Sequence, residues 1–233
     1  MNATQFFAEL DSRINKYDLL CHPFYKAWSA GELTRDDLRE YARDYYHHVQ
    51  AFPSYLDEFA SRIDDAQLRR VVLMNRDDEM GSDGGRSHAD LWLDFMQGMG
   101  GDREMSGHVP LKAVSDLMDS FHHVASNGSP EEALAAFYAY ESQVPRVAEE
   151  KARGLRELYG ADEQTCGYFT LHTTADLYHS RVWRHQMAKL VERNPDSAEK
   201  ALAAGENAAK ALWNALDGIE EKRMRRGGTL AGH

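Results

Sequence analysis

Cysteine is scarce in this chain. Two thiols, Cys21 and Cys166, in 233 residues supply neither a disulfide framework nor the four thiolates of an all-cysteine zinc site. Each reads as a small buried hydrophobe. Strand signals are missing too. No sustained alternation of Val, Ile and Thr occurs, and Asn127-Gly128 lies between helical stretches, not strand-like ones. No apolar run approaches the roughly 20 residues of a membrane span. The first ten residues carry an acid and lack a basic segment followed by an apolar one, so no secretory leader is expected and the cytoplasm is the expected location. Positive charge is in deficit, with a net charge of −11, which argues against nucleic acid as a partner. The basic cluster Lys222 to Arg226 follows Glu220 and Glu221 and reads as a helix C-terminus with favourable dipole charges.

Proline is also sparse, six in all, and several prolines mark helix starts. Ser129-Pro130-Glu131-Glu132 combines an N-cap, a proline at the first helical position and acids in the first turn, and predicts a helix to about Tyr159. Thr34-Arg35-Asp36-Asp37 resembles a capping box that opens a helix through about His48. Asn194 to Ser197 separates two helices, the last running over roughly 197–224. The stretch Gly98 to Pro110 reads as a polar, glycine-rich loop, and residues 227–233 as a flexible tail. No repeat, low-complexity tract or long linker divides the chain. The expectation is one all-α domain over 1–226, a compact bundle of seven or eight helices.

Against this background one stretch stands out. His172, Asp176 and His179 occupy positions i, i+4 and i+7. At 3.6 residues per turn they lie at about 0°, +40° and −20°, on one narrow stripe. A core helix would carry Leu, Ile or Val there. Three metal-type ligands suggest half of a site; the alternative is a polar face with two chance histidines. Bundles complete such sites from facing helices. Glu141 follows the aromatic turn Phe137 to Tyr140 and precedes Pro145, which cannot donate to the Glu141 carbonyl and should bend or bulge the helix. Glu79 and His88 flank the breaker Gly81 to Gly85, so Glu79 should end one helix and His88 start the next, capped by Ser87 or Asp83. Local sequence does not choose among Asp77, Asp78 and Glu79. Glu79, His88, Glu141, His172, Asp176 and His179 together offer oxygen and nitrogen donors without thiolate, which suits Fe or Mn better than structural zinc.

Other histidines read differently. Asp119, His122 and His123 look like a helix surface near a C-terminus. His47 and His48, close to Asp44 on a Tyr-rich helix, offer one group to support the site's ligands. His22, before Pro23, looks structural. Neither Glu-x-x-His motif of ferritin-like bundles is present.

Longer motifs add a family. His22 to Thr34 and Tyr41 to Pro53 resemble the opening of the TenA/PqqC superfamily, which has the haem-oxygenase-like helical fold. Tyr138 to Leu155 together with Tyr168 to His179 resembles, more specifically, the CADD group (Chlamydia protein associating with death domains) and its bacterial relatives. The resemblance spans about residues 17–220. It implies a haem-oxygenase-like di-metal oxidase that makes p-aminobenzoate for folate synthesis from one of its own tyrosines. It implies two metal ions, Fe/Fe or Mn/Fe, on Glu79, His88, Glu141, His172, Asp176 and His179, with O2 as oxidant, an external reductant and a homodimeric assembly. By the same resemblance Tyr25 is the sacrificed tyrosine, Lys151 the nitrogen source, and Tyr41 and Tyr140 are radical-carrying tyrosines. The Glu79 to His88 loop is about two residues longer than the family pattern. In isolation Tyr25 reads as core packing and Lys151 as a surface helix residue; Lys151 lies about 15 Å past Glu141 along an ideal helix. Alternative readings are a di-metal oxidase of an external small molecule, a metal-free thiaminase-like enzyme of the TenA type, which needs a positioned cysteine, and a protein-interaction module.

Overall fold

The computed structural model describes residues 2–82 and 84–230. Ten α-helices follow one another among the described residues: α1 (Ala3–Asn15), α2 (Pro23–Ala30), α3 (Arg35–Ser61), α4 (Ala66–Met80), α5 (His88–Gly98), α6 (Lys112–Asn127), α7 (Pro130–Glu141), α8 (Val144–Leu158), α9 (Glu163–Arg193) and α10 (Ala198–Leu230). The all-α expectation holds, with more segments than the expected seven or eight. One source of the difference is Pro145. The helix expected from 130 to about 159 is two, α7 and α8, because Pro145 has no N–H for the Glu141 carbonyl. Pro53 has the opposite outcome. It lies inside α3, which continues past His48 to Ser61. There Val49, Phe52, Leu56 and Phe59 keep one buried face on both sides of the proline, and that packing outweighs one missing hydrogen bond.

The C-terminal expectation also needs correction. Residues from 227, expected to form a flexible tail, continue α10 as far as Leu230. Just before them Arg226 pairs with Asp37 of α3 at 2.7 Å and Lys222 pairs with Asp44 at 2.7 Å, so the last turns are anchored. Residues 231–233 lie outside the described residues, as does Asp83.

α7 runs through the centre. Every residue from Ala133 to Glu141 is buried, the pattern of a helix covered on all sides. It packs on α9 and α10, while α9 also packs on α8 and α5. Trp28, Tyr41, Trp92, Phe95 and Phe169 fill the space between α2, α3, α5 and α9 with mostly tilted or edge-to-face ring contacts. Among the described residues no helix is long and apolar enough to cross a membrane.

Candidate metal centre and its tyrosine cluster

α4 ends where expected. Gly81 caps it in the left-handed region at φ 69°, and a Cβ there would meet the Arg86 backbone at 2.6 Å. Ser87 then caps α5 through the Asp90 N–H. Glu79 and His88 are thereby brought to opposite sides of one tight turn, with His88 Nδ1 2.7 Å from Glu79 Oε2. Glu141 arrives from the end of α7. The α9 stripe supplies His172, Asp176 and His179, and all six side chains are buried.

Their donor atoms fall into two groups, each within 4.8 Å: Glu79, His88 and His172 in one; Glu79, Glu141, Asp176 and His179 in the other. Glu79 belongs to both. This is the arrangement two neighbouring cations need when one carboxylate serves both. Of the neighbours Asp78 and Glu79, it is Glu79 that lies buried among the other donors. Asp78 is half exposed and sits outside, with its Oδ2 3.1 Å from His179 Nε2. That contact leaves His179 Nδ1 on the inner side, 3.5 Å from Asp176 and 3.8 Å from Glu141. His172 donates from Nδ1 to the Tyr168 carbonyl at 2.7 Å, which fixes the tautomer and leaves Nε2 as a ligand atom.

The electrostatics fit cations. Burial pushes Glu141 above the usual carboxylate range; His179 opposes the shift, and Asp176 and Glu79 reinforce it. Burial by itself would lower His179, but Asp176, Glu141 and Asp78 outweigh it and raise it to about 10. Three clustered carboxylates away from water must hold positive charge, as protons or as metal ions. His88 Nδ1 and His179 Nδ1 are buried and make no well-formed hydrogen bond. Both observations suit metal ligation. Oxygen and imidazole donors without thiolate suit iron or manganese.

A second cluster lies beside the first. Lys151 Nζ donates to Tyr25 Oη at 2.7 Å and to Tyr41 Oη at 2.6 Å, and the two hydroxyls are 3.0 Å apart. Lys151 is therefore no surface residue: it is buried, and burial holds its pKa well below the ordinary lysine value. Burial likewise keeps the Tyr25 and Tyr41 phenols protonated. A cavity of about 30 Å³ connects Tyr25 and Lys151 to Tyr45, Tyr140 and Tyr168. Tyr168 in turn stacks on His172, with centroids 4.0 Å apart. Tyr25, Tyr41, Tyr140 and Lys151 thus gather on one side of the six donors.

Several residues escaped the sequence reading. Tyr168 and Trp183 continue the α9 stripe one turn before His172 and one turn after His179. Asn75 precedes Glu79 by one turn on α4. Spacing alone would have found them. Among the other histidines, His48 is buried against Tyr45 and Tyr140, whereas His47 pairs outward with His108. His122 pairs with Glu58. His22 caps α2 and contacts Asp217, a structural role. Cys166 is buried as expected, but Cys21 is exposed.

Known proteins resemble this chain along nearly its whole length. It is 38% identical over 218 residues to "4-aminobenzoate synthase" of Chlamydia muridarum, covering 93% of this chain and 90% of the relative. It is 36% identical over 236 residues to a protein of the same name from Nitrosomonas europaea, covering 95% and 93%. Among solved structures, a domain of unknown function with a heme oxygenase-like fold from Shewanella denitrificans matches with a TM-score of 0.80 at 18% identity, over 96% of this chain and 94% of that one. The sequence pattern of a family described as iron-containing redox enzyme matches residues 39–213. On the strength of that match and of these relatives, the chain belongs to the haem-oxygenase-like family of iron-containing redox enzymes.

Proposed function

We propose that this chain makes 4-aminobenzoate, a folate precursor, by O2-dependent oxidation of its own Tyr25. The reading takes Glu79, His88, Glu141, His172, Asp176 and His179 as holders of two metal ions, Fe/Fe or Mn/Fe, with an external reductant. The observation that carries it is the contact of Lys151 with both Tyr25 and Tyr41 beside the six donors. The name shared by the relatives at 36–38% identity points to the same product.

Atom accounting agrees. The product has a benzene ring, one carboxyl carbon and a nitrogen para to it. A tyrosine side chain has the ring, Cβ and a para oxygen. The conversion breaks Cα–Cβ, oxidises Cβ to a carboxylate with O2 as oxidant, and replaces the phenol oxygen, which leaves as water, with the Lys151 nitrogen, whose Cε–Nζ bond also breaks. When bound, the metal pair supplies activation of O2, which oxidations of this difficulty need. The chain's own residues do the rest. Tyr140 and Tyr168 line the cavity beside Tyr25, and Tyr168 also stacks on His172. Burial lowers the Lys151 pKa toward the neutral amine that a nitrogen donor needs, with Nζ 4.2 Å from the Tyr25 ring centroid. Burial of Tyr25 and Lys151 keeps bulk solvent from the reacting atoms.

The small cavity beside Tyr25 favours reaction of that tyrosine over an external molecule bound in its place. About 30 Å³ beside Tyr25 admits a water or two and no aromatic substrate. A thiaminase-like reaction is disfavoured because neither cysteine lines that cavity. The test is exposure of the iron-loaded protein to O2 and reductant, with mass measurement of the Tyr25 peptide and of released 4-aminobenzoate. The reading predicts loss of the tyrosine side chain in proportion to product. Product with an unmodified Tyr25 peptide, or full activity in Tyr25→Phe, overturns it.

A further inference from the structure

Glu141 is the one carboxylate of the six donors whose two oxygens are both engaged from behind. Asn75 Nδ2 donates to Oε1 at 2.8 Å, and the Trp183 indole N–H donates to Oε2. Both partners are buried, Trp183 completely. The Asn75 arrangement is costly in itself. Its Oδ1 is buried with no hydrogen-bond partner, so the amide meets Glu141 while its other end goes unsatisfied. A side chain kept under that penalty is kept for the bond it makes. Neither residue belongs to either donor group. On their other side Asn75 and Trp183, with His179, line an open, mostly apolar cavity of about 350 Å³ between α4 and α9, bordered also by Val71, Met74 and Val182. Without the two N–H donors, Glu141 would be free to swing toward that space and away from Asp176 and His179.

We infer that Asn75 and Trp183 are positioning residues that hold Glu141 for the cation bound by Glu79, Glu141, Asp176 and His179. They do not serve the cation bound by Glu79, His88 and His172. The inference rests on the reading that the six donors hold two metal ions. Its signature is asymmetry: loss of either N–H donor weakens one ion and spares the other. Partners that orient a ligand typically change metal affinity about 10- to 100-fold when removed. A role limited to packing would lower thermal stability without separating the two ions.

The experiment is anaerobic equilibrium dialysis of the full chain against Fe(II), with bound iron counted per chain. It compares wild type with Trp183→Phe, which keeps a ring and deletes the N–H, with Asn75→Leu, which keeps the volume and deletes the amide, and with Met74→Leu. Met74 lines the same cavity and is 48% exposed, so it controls for disturbance of the wall. Wild type and Met74→Leu should bind two ions alike. Trp183→Phe and Asn75→Leu should each weaken one ion about 10- to 100-fold and leave the other within a few fold. If Trp183→Phe does not fold, Asn75→Leu decides. The inference is overturned if the folded variants bind both ions like wild type, or if both ions weaken equally. Wild type that binds no iron overturns the dinuclear reading itself, a result distinct from either of these.

Discussion

Lys151 Nζ sits 2.7 Å from Tyr25 Oη and 4.2 Å from the centroid of the same ring. Its pKa is depressed by burial. Between that depressed value and the ordinary value near 10.5, the unfolded chain binds one more proton than the folded one, so this residue makes stability rise with pH. Lys151→Met removes the term. Wild type should gain on the variant as pH rises toward the ordinary lysine value, by up to about 1.4 kcal/mol per pH unit, read from urea unfolding at each pH. A constant difference would mean that the amine stays charged in the fold. Formation of 4-aminobenzoate should fall at least about a hundredfold in the variant, as for loss of a reacting group.

Tyr168 connects the two clusters. Its ring stacks on His172 and its carbonyl accepts the His172 Nδ1 proton. Tyr168→Phe preserves the stack and the carbonyl and deletes only the phenol. Bound iron should be unchanged. The product yield should fall about tenfold or more, equivalent to roughly 1.4 kcal/mol of barrier, if the phenol carries oxidising equivalents toward Tyr25. Iron content and product are measured on the same preparation. Normal content with normal yield removes Tyr168 from the route.

The α9 stripe was legible because three ligand-type residues at i, i+4 and i+7 contradict the apolar pattern of a core helix. Its extension to Tyr168 and Trp183 follows from the same spacing, but an aromatic residue at those positions also satisfies the apolar pattern and so does not stand out. Asp78 and Glu79 are neighbours in sequence, and only the packing of α4 against α9 turns one inward and leaves the other at the rim beneath His179. Lys151 meets Tyr25, far away in sequence, because α8 packs against α9 and α2, a long-range contact no helical wheel contains. Pro53 and Pro145 make the same point from the backbone. The chemistry of proline is identical at both places and buried side chains flank both, yet α3 continues through Pro53 while the helix is interrupted just before Pro145.

Glu79 belongs to both donor groups, while His172 belongs to one. Glu79→Ala should therefore abolish binding of both ions, whereas His172→Ala should chiefly weaken one. Iron counting per chain separates the two outcomes, and equal losses would argue against a shared carboxylate. Affinity should also depend on pH with a definite sign. The surrounding carboxylates raise His179 to about 10, so a proton must leave before Nδ1 can bind metal. Iron should bind more tightly at pH 8 than at pH 6, with proton release on loading measurable in weakly buffered solution.

Gly154 and Gly167 are both inside helices, yet replacing each with alanine should have opposite effects. Alanine gains about 0.5–1 kcal/mol over glycine in a helix interior. At Gly167 a Cβ meets nothing closer than Leu91 Cδ2 at 3.9 Å, an ordinary contact. Gly167→Ala should keep most of that gain and raise Tm by a few degrees at about 2–4 °C per kcal/mol. At Gly154 a Cβ would lie 2.9 Å from Trp28 Cδ1 and Nε1. Trp28 has no room to retreat, because its ring already packs on Tyr41, Tyr25, Tyr159 and Phe95. Overpacking of that kind costs about 1–3 kcal/mol, which outweighs the helical gain. Gly154→Ala should thus lower Tm and, by pressing Trp28 toward Tyr25 and Lys151, reduce product while leaving bound iron unchanged. Calorimetry with iron counting on the two variants checks the pair, and a stabilised Gly154→Ala would show that Trp28 has slack the packing does not reveal.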